Sequence, residues 1–335
     1  MAAAAAKRQG SGGEMPLPST VDVAALHSLA EGIVRAHGRA TVTPAGAAFR
    51  QMLMDRARTS AQRSALALLG GDIERRARAG RVRKIDDGAP VDILFDLAGP
   101  LAALLAEGRP TDANILANRY LDLSPQGATG WALLPLMLSL QTDDPEIADR
   151  FLEPAAPQLI VIGGLSGTGK SSLSRLLGGL YGRRPGARVL RSDVFRKRLA
   201  GLPPETRLPP SHYTRRNDAE TYEALFESAD DHLACGSTVI LDAVFLNRSE
   251  REVAEALALQ ARVPFTGIWL EAPDRDRIAR VSARTGDASD ATADVARDQA
   301  RRPVGDLFGW HRMRANRPME TIVAAARAAV ERPRR

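Results

Sequence analysis

The chain has 335 residues, a mass of 36.0 kDa and a formal net charge of +6, too long for one small domain and enough for two modest ones. Hydrophobic residues make up 44% and charged residues 26%, a balance that supports cores in a water-soluble chain, and no run approaches the ~18 uninterrupted apolar residues of a membrane span. The single cysteine, Cys235, excludes an intramolecular disulfide and a cysteine-built zinc cage, and it points to a reducing cytosol.

The first 18 residues open MAAAAAKRQGSGG. They lack an apolar core of signal-peptide length and are expected to form a disordered tail. Residues 19–142 read as mostly helical. Apolar residues recur at helical spacing from Val21 to His37, with Ser19 or Thr20 as the cap. Further helices are expected near Ala47–Arg58, Ala61–Ala79, Ile93–Ala106, Asp112–Leu121 and Gly130–Leu140. Turns separate them at Gly88–Pro90, Gly108–Pro110 and Ser124–Gly127. Residues 143–157, acidic and then Pro-rich, read as a linker.

From 158 to 331 the pattern alternates. Strands are expected at Leu159–Ile162, Arg188–Leu190, Val239–Leu241, Phe265–Leu270 and Trp310–Arg314. Helices are expected from Lys170, near Val194–Leu199, Thr214–Ala234, Glu250–Gln260 and Arg275–Ala283, and at Thr321–Val330. Strands separated by helices predict an α/β domain, a parallel sheet covered on both faces, preceded by the smaller, mostly helical domain. The sheet and its loops are complete within this half, so residues 154–335 are expected to fold and bind nucleotide alone.

Of 46 Lys and Arg only four are Lys: Lys7, Lys84, Lys170 and Lys197. Acidic residues are interspersed throughout, so the basic excess reads as solvated faces rather than as a nucleic-acid footprint. In a chain that nearly always uses Arg, Lys170 marks a place where a compact ammonium is needed.

Gly164-Leu165-Ser166-Gly167-Thr168-Gly169-Lys170-Ser171, continued by Ser172, matches G-x-x-x-x-G-K-[ST] in full. It follows an apolar strand and opens a helix, as the motif must. Glycines let the backbone curl until successive N–H groups face one anion, and the helix start adds its dipole. Lys170 would sit between the β- and γ-phosphates of ATP, and the Ser171 hydroxyl would hold Mg²⁺.

Two carboxylates extend the site. Asp193 follows the second strand, where strand ends converge on the ligand crevice, and is placed to take a proton from an acceptor hydroxyl. Arg196, one turn on, would hold the acceptor. Asp242 ends the apolar strand Val239-Ile240-Leu241 and would join the Mg²⁺ shell. Arg277, Arg280 and Arg284 share one helix face, with Arg280 the candidate for the transferring phosphate. His212 and His232 lie in no motif and read as surface or packing residues.

GGLSGTGKSSLSRLL, VLRSDVFRKRLAG, VILDAVFLNRSERE and RIARVSARTGDASDA resemble the small P-loop kinases of the zeta-toxin-like and polynucleotide-kinase-like group, often described as predicted or AAA-type ATP-binding kinases. The resemblance covers about residues 157–330. It implies that Asp193 is the general base, that Arg196 contacts the acceptor and that a lid Arg serves the transition state. GLSGTGKS also looks like adenylylsulfate kinases, whose later motifs are not evident here.

In the first half, ERRARAGRVR, DILFDLAGPLAALLAEGRPTDANILANRYLD and GWALLPLMLSL look like the C-terminal lobe of aminoglycoside-phosphotransferase-like proteins. Where that family has its H-G-D-L-H catalytic loop and metal-binding Asp, this chain has only KIDDGAPV, and the family's nucleotide-binding lobe is expected to be absent. This half therefore reads as a non-catalytic remnant, with Asp86, Asp87, Asp92 and Asp96 as loop and cap residues.

The leading expectation is transfer of the ATP γ-phosphate to a hydroxyl on a small molecule or nucleic-acid end. Two other readings share the motifs: an ATP-binding regulatory module with slow hydrolysis, and a 5′-hydroxyl polynucleotide kinase.

Overall fold

Two sets of elements with different hydrophobic periods build the molecule. The structure, a computed structural model, describes residues 21–283 and 288–332; the tail expected over residues 1–18 lies outside them. The first set runs α1 (Val23–Arg39), β1 (Thr41–Val42), α2 (Gly46–Arg56), α3 (Ser60–Arg78), β2 (Val82–Lys84), β3 (Val91–Asp92), α4 (Ile93–Ala106), α5 (Pro110–Leu123), α6 (Gly127–Ser139) and α7 (Pro145–Leu152). Its helices bury one apolar cluster that includes Leu97, Leu116, Tyr120 and Leu134.

Three details differ from the sequence reading. The first helix is capped by Asp22, whose carboxylate accepts the Ala25 N–H at 3.0 Å. β1, β2 and β3 form a small antiparallel sheet, with strands too short to show alternation in sequence. The stretch expected as a linker contains α7, begun by Pro145 with Asp144 accepting the Glu146 and Ile147 N–H groups. It packs on α3 and α6.

The second set runs β4 (Leu159–Gly164), α8 (Lys170–Gly178), β5 (Arg188–Arg191), α9 (Ser192–Leu199), a 3₁₀ turn at Pro210–His212, α10 (Arg215–Ala234), β6 (Val239–Asp242), α11 (Arg248–Ala261), β7 (Phe265–Glu271), α12 (Asp274–Ser282), α13 (Ala293–Ala300), β8 (Trp310–Arg314) and α14 (Met319–Val330). Sequence patterning had not indicated α13. The five strands are parallel in the order β5-β6-β4-β7-β8, the α/β architecture expected. β4 is apolar without alternation because both its faces are covered. Leu159 and Val161 join one cluster with Leu225 and Leu257, while Ile160 and Ile162 join another with Leu173 and Ile322. No described helix is long and apolar enough to cross a membrane.

The outer edge of β5 is covered by α5 rather than left to water. Asn118 Oδ1 accepts the Val189 N–H at 2.8 Å, and Asn118 and Asn114 donate to the Ala187 carbonyl at 3.2 and 2.8 Å. The buried Arg188 guanidinium donates to Asn118 Oδ1 and to Asp122, both at 2.6 Å. Contact is close enough that a Cβ at Gly178 would lie 2.1 Å from Asn114 Oδ1. Such an edge, uncovered, is a template for strand addition.

The interface changes what is expected of the isolated second half. A fragment of residues 154–335 would expose the Val189 N–H, the Ala187 carbonyl and the Arg188 guanidinium, each lost partner costing about 1–3 kcal/mol where burial persists. It is expected to aggregate or to melt well below the full chain in thermal melts and size-exclusion runs. A monomeric fragment with the Tm of the full chain would contradict this.

Candidate active site

β4 ends in a loop that only glycines can follow. Gly164, Gly167 and Gly169 have φ of +140°, +85° and +94°. A Cβ at Gly167 would lie 2.4 Å from the Arg277 carbonyl oxygen, and one at Gly164 would lie 2.6 Å from that of Leu270. Three donors converge on the Leu165 carbonyl and hold the curl. They are the Thr168 N–H at 3.3 Å, the Thr168 hydroxyl at 2.8 Å and Lys170 Nζ at 3.3 Å. α8 starts at Lys170, so its first N–H groups and the positive end of its dipole face the loop.

The parallel register brings the carboxylates to the same level. Ile162 pairs with Asp242 across β4 and β6, and Arg191 pairs with Asp242 across β5 and β6. Asp242 is 3% exposed, and its Oδ2 accepts no hydrogen bond. Arg191 Nε lies 3.3 Å from that oxygen as a charge contact, and Arg191 Nη2 donates to Ser171 Oγ at 3.2 Å. The structure thus brings Ser171 and Asp242 to one guanidinium. A buried carboxylate oxygen without a hydrogen-bond donor suits a hard cation. Among the described residues no cluster of three or more His, Cys, Asp or Glu forms a cage. The donor set therefore fits Mg²⁺, which typically keeps several waters and binds through one or two protein oxygens plus phosphate.

A cavity of about 1110 Å³ opens over the loop, at the carboxyl ends of the strands where open α/β sheets bind ligands. Gly167, Gly169, Lys170, Ser171 and Ser172 line it together with Asp193 and Arg196. Arg196 pairs with Asp218 at 2.8 Å and lies 5.1 Å from the centre of the Tyr213 ring, while its Nη1 is buried without a partner.

Arg280, expected at the transferring phosphate, is placed elsewhere. Its guanidinium donates to the carbonyls of Gly167 at 3.4 Å and Ala315 at 2.9 Å, outside the cavity lining. Arg277 is fully buried and donates to the Ser166 carbonyl at 3.2 Å and to Asp274 at 2.7 Å. Both brace the loop from behind because α12 packs on its outer side. Arg284 lies outside the described residues. His232 is buried, its Nδ1 donating to the Ser228 carbonyl at 2.7 Å, a packing role as expected.

Several cavity residues were not evident in sequence. Tyr222 Oη accepts the N–H of Phe245 at 2.9 Å, where the backbone turns left-handed at φ +50°. Burial pushes the neighbouring Glu250 carboxyl above its ordinary value. Asp290 accepts from Lys197, the Tyr213 hydroxyl and the Leu208 N–H. Burial works against its ionisation, but these donors outweigh it and hold the carboxyl below its usual range. Lys197, one of the four lysines, is engaged there. No local motif marks these residues.

Comparisons with known proteins cover mainly the second half. A family model described as an AAA domain matches residues 159–303. Uncharacterized proteins of Mycobacterium tuberculosis and Mycobacterium bovis are 32% identical over 184 residues, which is 54% of this chain. The chain spans only 36% of the length of these curated relatives. Among solved structures, a gluconokinase from Sinorhizobium meliloti is 20% identical with a TM-score of 0.39, over 52% of this chain and 93% of that one. The Mycobacterium tuberculosis APS kinase, in complex with AMPPNP and APS, is 20% identical with a TM-score of 0.40, over 54% of this chain and 100% of that one.

The contact at Gly167 is testable. Gly167→Ala combines a positive φ with the close Arg277 carbonyl, a local strain of about 1–3 kcal/mol. ATP affinity is expected to fall about tenfold or more by calorimetry, with circular dichroism unchanged. Wild-type affinity in this variant would show that the loop is free to relax.

Proposed function

We propose that this chain is an ATP-dependent phosphotransferase that moves the γ-phosphate to a hydroxyl on a small molecule or nucleic-acid end. One observation carries the reading: a phosphate loop, Asp193 and Asp242 share one cavity at the ends of neighbouring parallel strands. The loop N–H groups and Lys170 Nζ would cradle the β- and γ-phosphates. Ser171 and Asp242 would hold Mg²⁺, which when bound neutralises charge on those phosphates. Asp193 takes the proton from the acceptor hydroxyl as that oxygen bonds to the γ-phosphorus, and the bond to the bridging oxygen of ADP breaks. Arg196, already oriented by Asp218 and Tyr213, would offer its unpartnered Nη1 to the acceptor.

The sequence motifs support membership of the zeta-toxin-like and polynucleotide-kinase-like group. We read the helical half as a non-catalytic remnant of an aminoglycoside-phosphotransferase-like lobe. Two of its carboxylates, Asp92 and Asp96, support that reading because they have structural partners. Asp92 accepts two bonds from Arg76 at 2.8 Å and one from the Leu94 N–H at 2.8 Å, and Asp96 lies 2.9 Å from His37 Nε2. The cytosol, where ATP and Mg²⁺ are abundant, is the proposed compartment.

Lys170→Ala removes the point charge but keeps the backbone cradle. ATP affinity should weaken and turnover should fall by orders of magnitude, and a folded variant with unchanged binding and turnover would refute the site assignment. Asp193→Asn should keep ATP affinity and lower transfer by about 10²–10⁴-fold, the usual contribution of a positioned base. Asp242→Asn should instead weaken Mg²⁺-dependent nucleotide binding as well as turnover. A binding assay with and without Mg²⁺, together with an ATP-consumption screen over sugars, nucleosides, antibiotics and 5′-hydroxyl oligonucleotides, separates the two. If neither substitution altered transfer, the chain would be a nucleotide-binding module.

A further inference from the structure

We propose that the helical half is the positioning part of this site: Asn118 on α5 stands in for an absent neighbouring strand and, by holding β5, sets where Arg191 and Asp193 stand over the phosphate loop. The role of Asp193 in this proposal rests on the phosphotransferase reading above.

β5 has four residues and pairs with a strand on one side only, through β6. A strand so short, laddered along one edge, has little of its own to fix its position. On its open edge the groups to be met are the Val189 N–H and the Ala187 carbonyl. A neighbouring strand would meet such a pair with one acceptor and one donor. The Asn118 carboxamide presents the same two groups, Oδ1 to Val189 and Nδ2 to Ala187. The side chain is itself held, since Nδ2 also donates to the Asn114 carbonyl at 3.0 Å and Oδ1 accepts from Arg188. Leu at this buried place would add apolar burial without hydrogen-bonding either backbone group, and a buried carboxamide is tolerable only because its partners are met.

What β5 carries is the site. Two residues past Val189, Arg191 contacts both Ser171 Oγ and Asp242. Asp193 follows in the first turn of α9. A residue in a strand advances about 3.3 Å, so a shift at Val189 reaches both groups with little chain to absorb it. α5 also grips the segment beyond α9, where Arg119 pairs with Glu205 as well as with Glu31. His27 of α1 stands in the same seam with Arg119, Arg175 and Arg191. Burial first, and then those three guanidiniums, push its pKa down to about 4, so it adds no like charge there.

The test uses the full chain with ATP and Mg²⁺, comparing wild type, Asn118→Leu and Asn118→Asp. Asn118→Leu removes both edge bonds at similar volume. Asn118→Asp keeps the acceptor for Val189 and Arg188, and serves as well if the leucine variant fails to fold. The readouts are ATP affinity, ATP hydrolysis at saturating nucleotide and amide exchange by segment. Asn118 makes no hydrogen bond to the loop on β4 and α8, so ATP affinity measured without Mg²⁺ is expected within about twofold of wild type, while the Mg²⁺-dependent part of the affinity falls with the displacement of Arg191 from Ser171 and Asp242. Hydrolysis is expected to fall about tenfold or more, since a 1 Å misplacement can cost ~10²-fold. Asn118→Asp should recover part of that loss. Exchange should rise in residues 188–193 and stay at wild-type level in residues 159–164.

Unchanged hydrolysis and exchange in a folded Asn118→Leu variant would overturn the proposal. So would a proportional loss of ATP affinity and hydrolysis with exchange raised across the whole sheet, which marks Asn118 as a structural residue only. A wild-type chain that neither binds nor hydrolyses ATP would defeat the phosphotransferase reading, and exchange confined to 188–193 would then still decide whether Asn118 holds β5.

Discussion

The parallel register of three strands is the constraint on which everything else depends. β4 pairs with β6 so that Ile162 faces Asp242, and β5 pairs with β6 so that Arg191 faces the same Asp242. All three strands run in one direction, so their carboxyl ends finish at one level. The phosphate loop, Asp242 and the start of α9 must therefore meet in one crevice. A slip of one residue would turn every side chain of a strand to its other face. It would put the Asp242 carboxylate, now buried beside the Arg191 guanidinium that also reaches Ser171, on the wrong side of the sheet.

The abundance of Arg has a structural use that composition did not suggest. Several arginines act as clamps on backbone carbonyls rather than as surface charges. Arg277 and Arg280 hold the outer side of the phosphate loop through Ser166 and Gly167. Arg251, 2% exposed, donates to the carbonyls of Phe245, Leu246, Val304 and Asp306 and so ties two loops together. A guanidinium has five donors in a fixed plane and can satisfy several irregular carbonyls at once. Lysine cannot do this with the same geometry, which fits the near-exclusive use of Arg away from Lys170 and Lys197.

The two halves are joined by hydrogen bonds that neither half could make alone. Asn114, Asn118 and Asp122 on one helix face meet Ala187, Arg188 and Val189 on one strand edge. The contact lies between residues about 70 apart in the chain, as in the bond from Val189 to Asn118 with 71 intervening steps. The helical half thus has a physical task, which is covering the β5 edge of the parallel sheet.

Much was determined by sequence alone. The Gly-rich loop, Lys170 and Ser171 were legible because a phosphate cradle is local: consecutive residues supply the curl, the charge and the helix start. The strands were legible because double burial leaves continuous apolar runs such as Leu159–Ile162, and Asp193 and Asp242 because each ends or follows such a run. Tertiary structure alone decided the rest. Whether Arg280 faces phosphate or braces Gly167 depends on where α12 packs, and periodicity is silent on that. Tyr222, Glu250 and Asp290 join the cavity because distant elements converge there. The role of Asn118 was invisible because a buried carboxamide in a helix is ambiguous until the strand edge it meets is known; side-chain hydrogen bonds across 71 residues leave no period in the sequence.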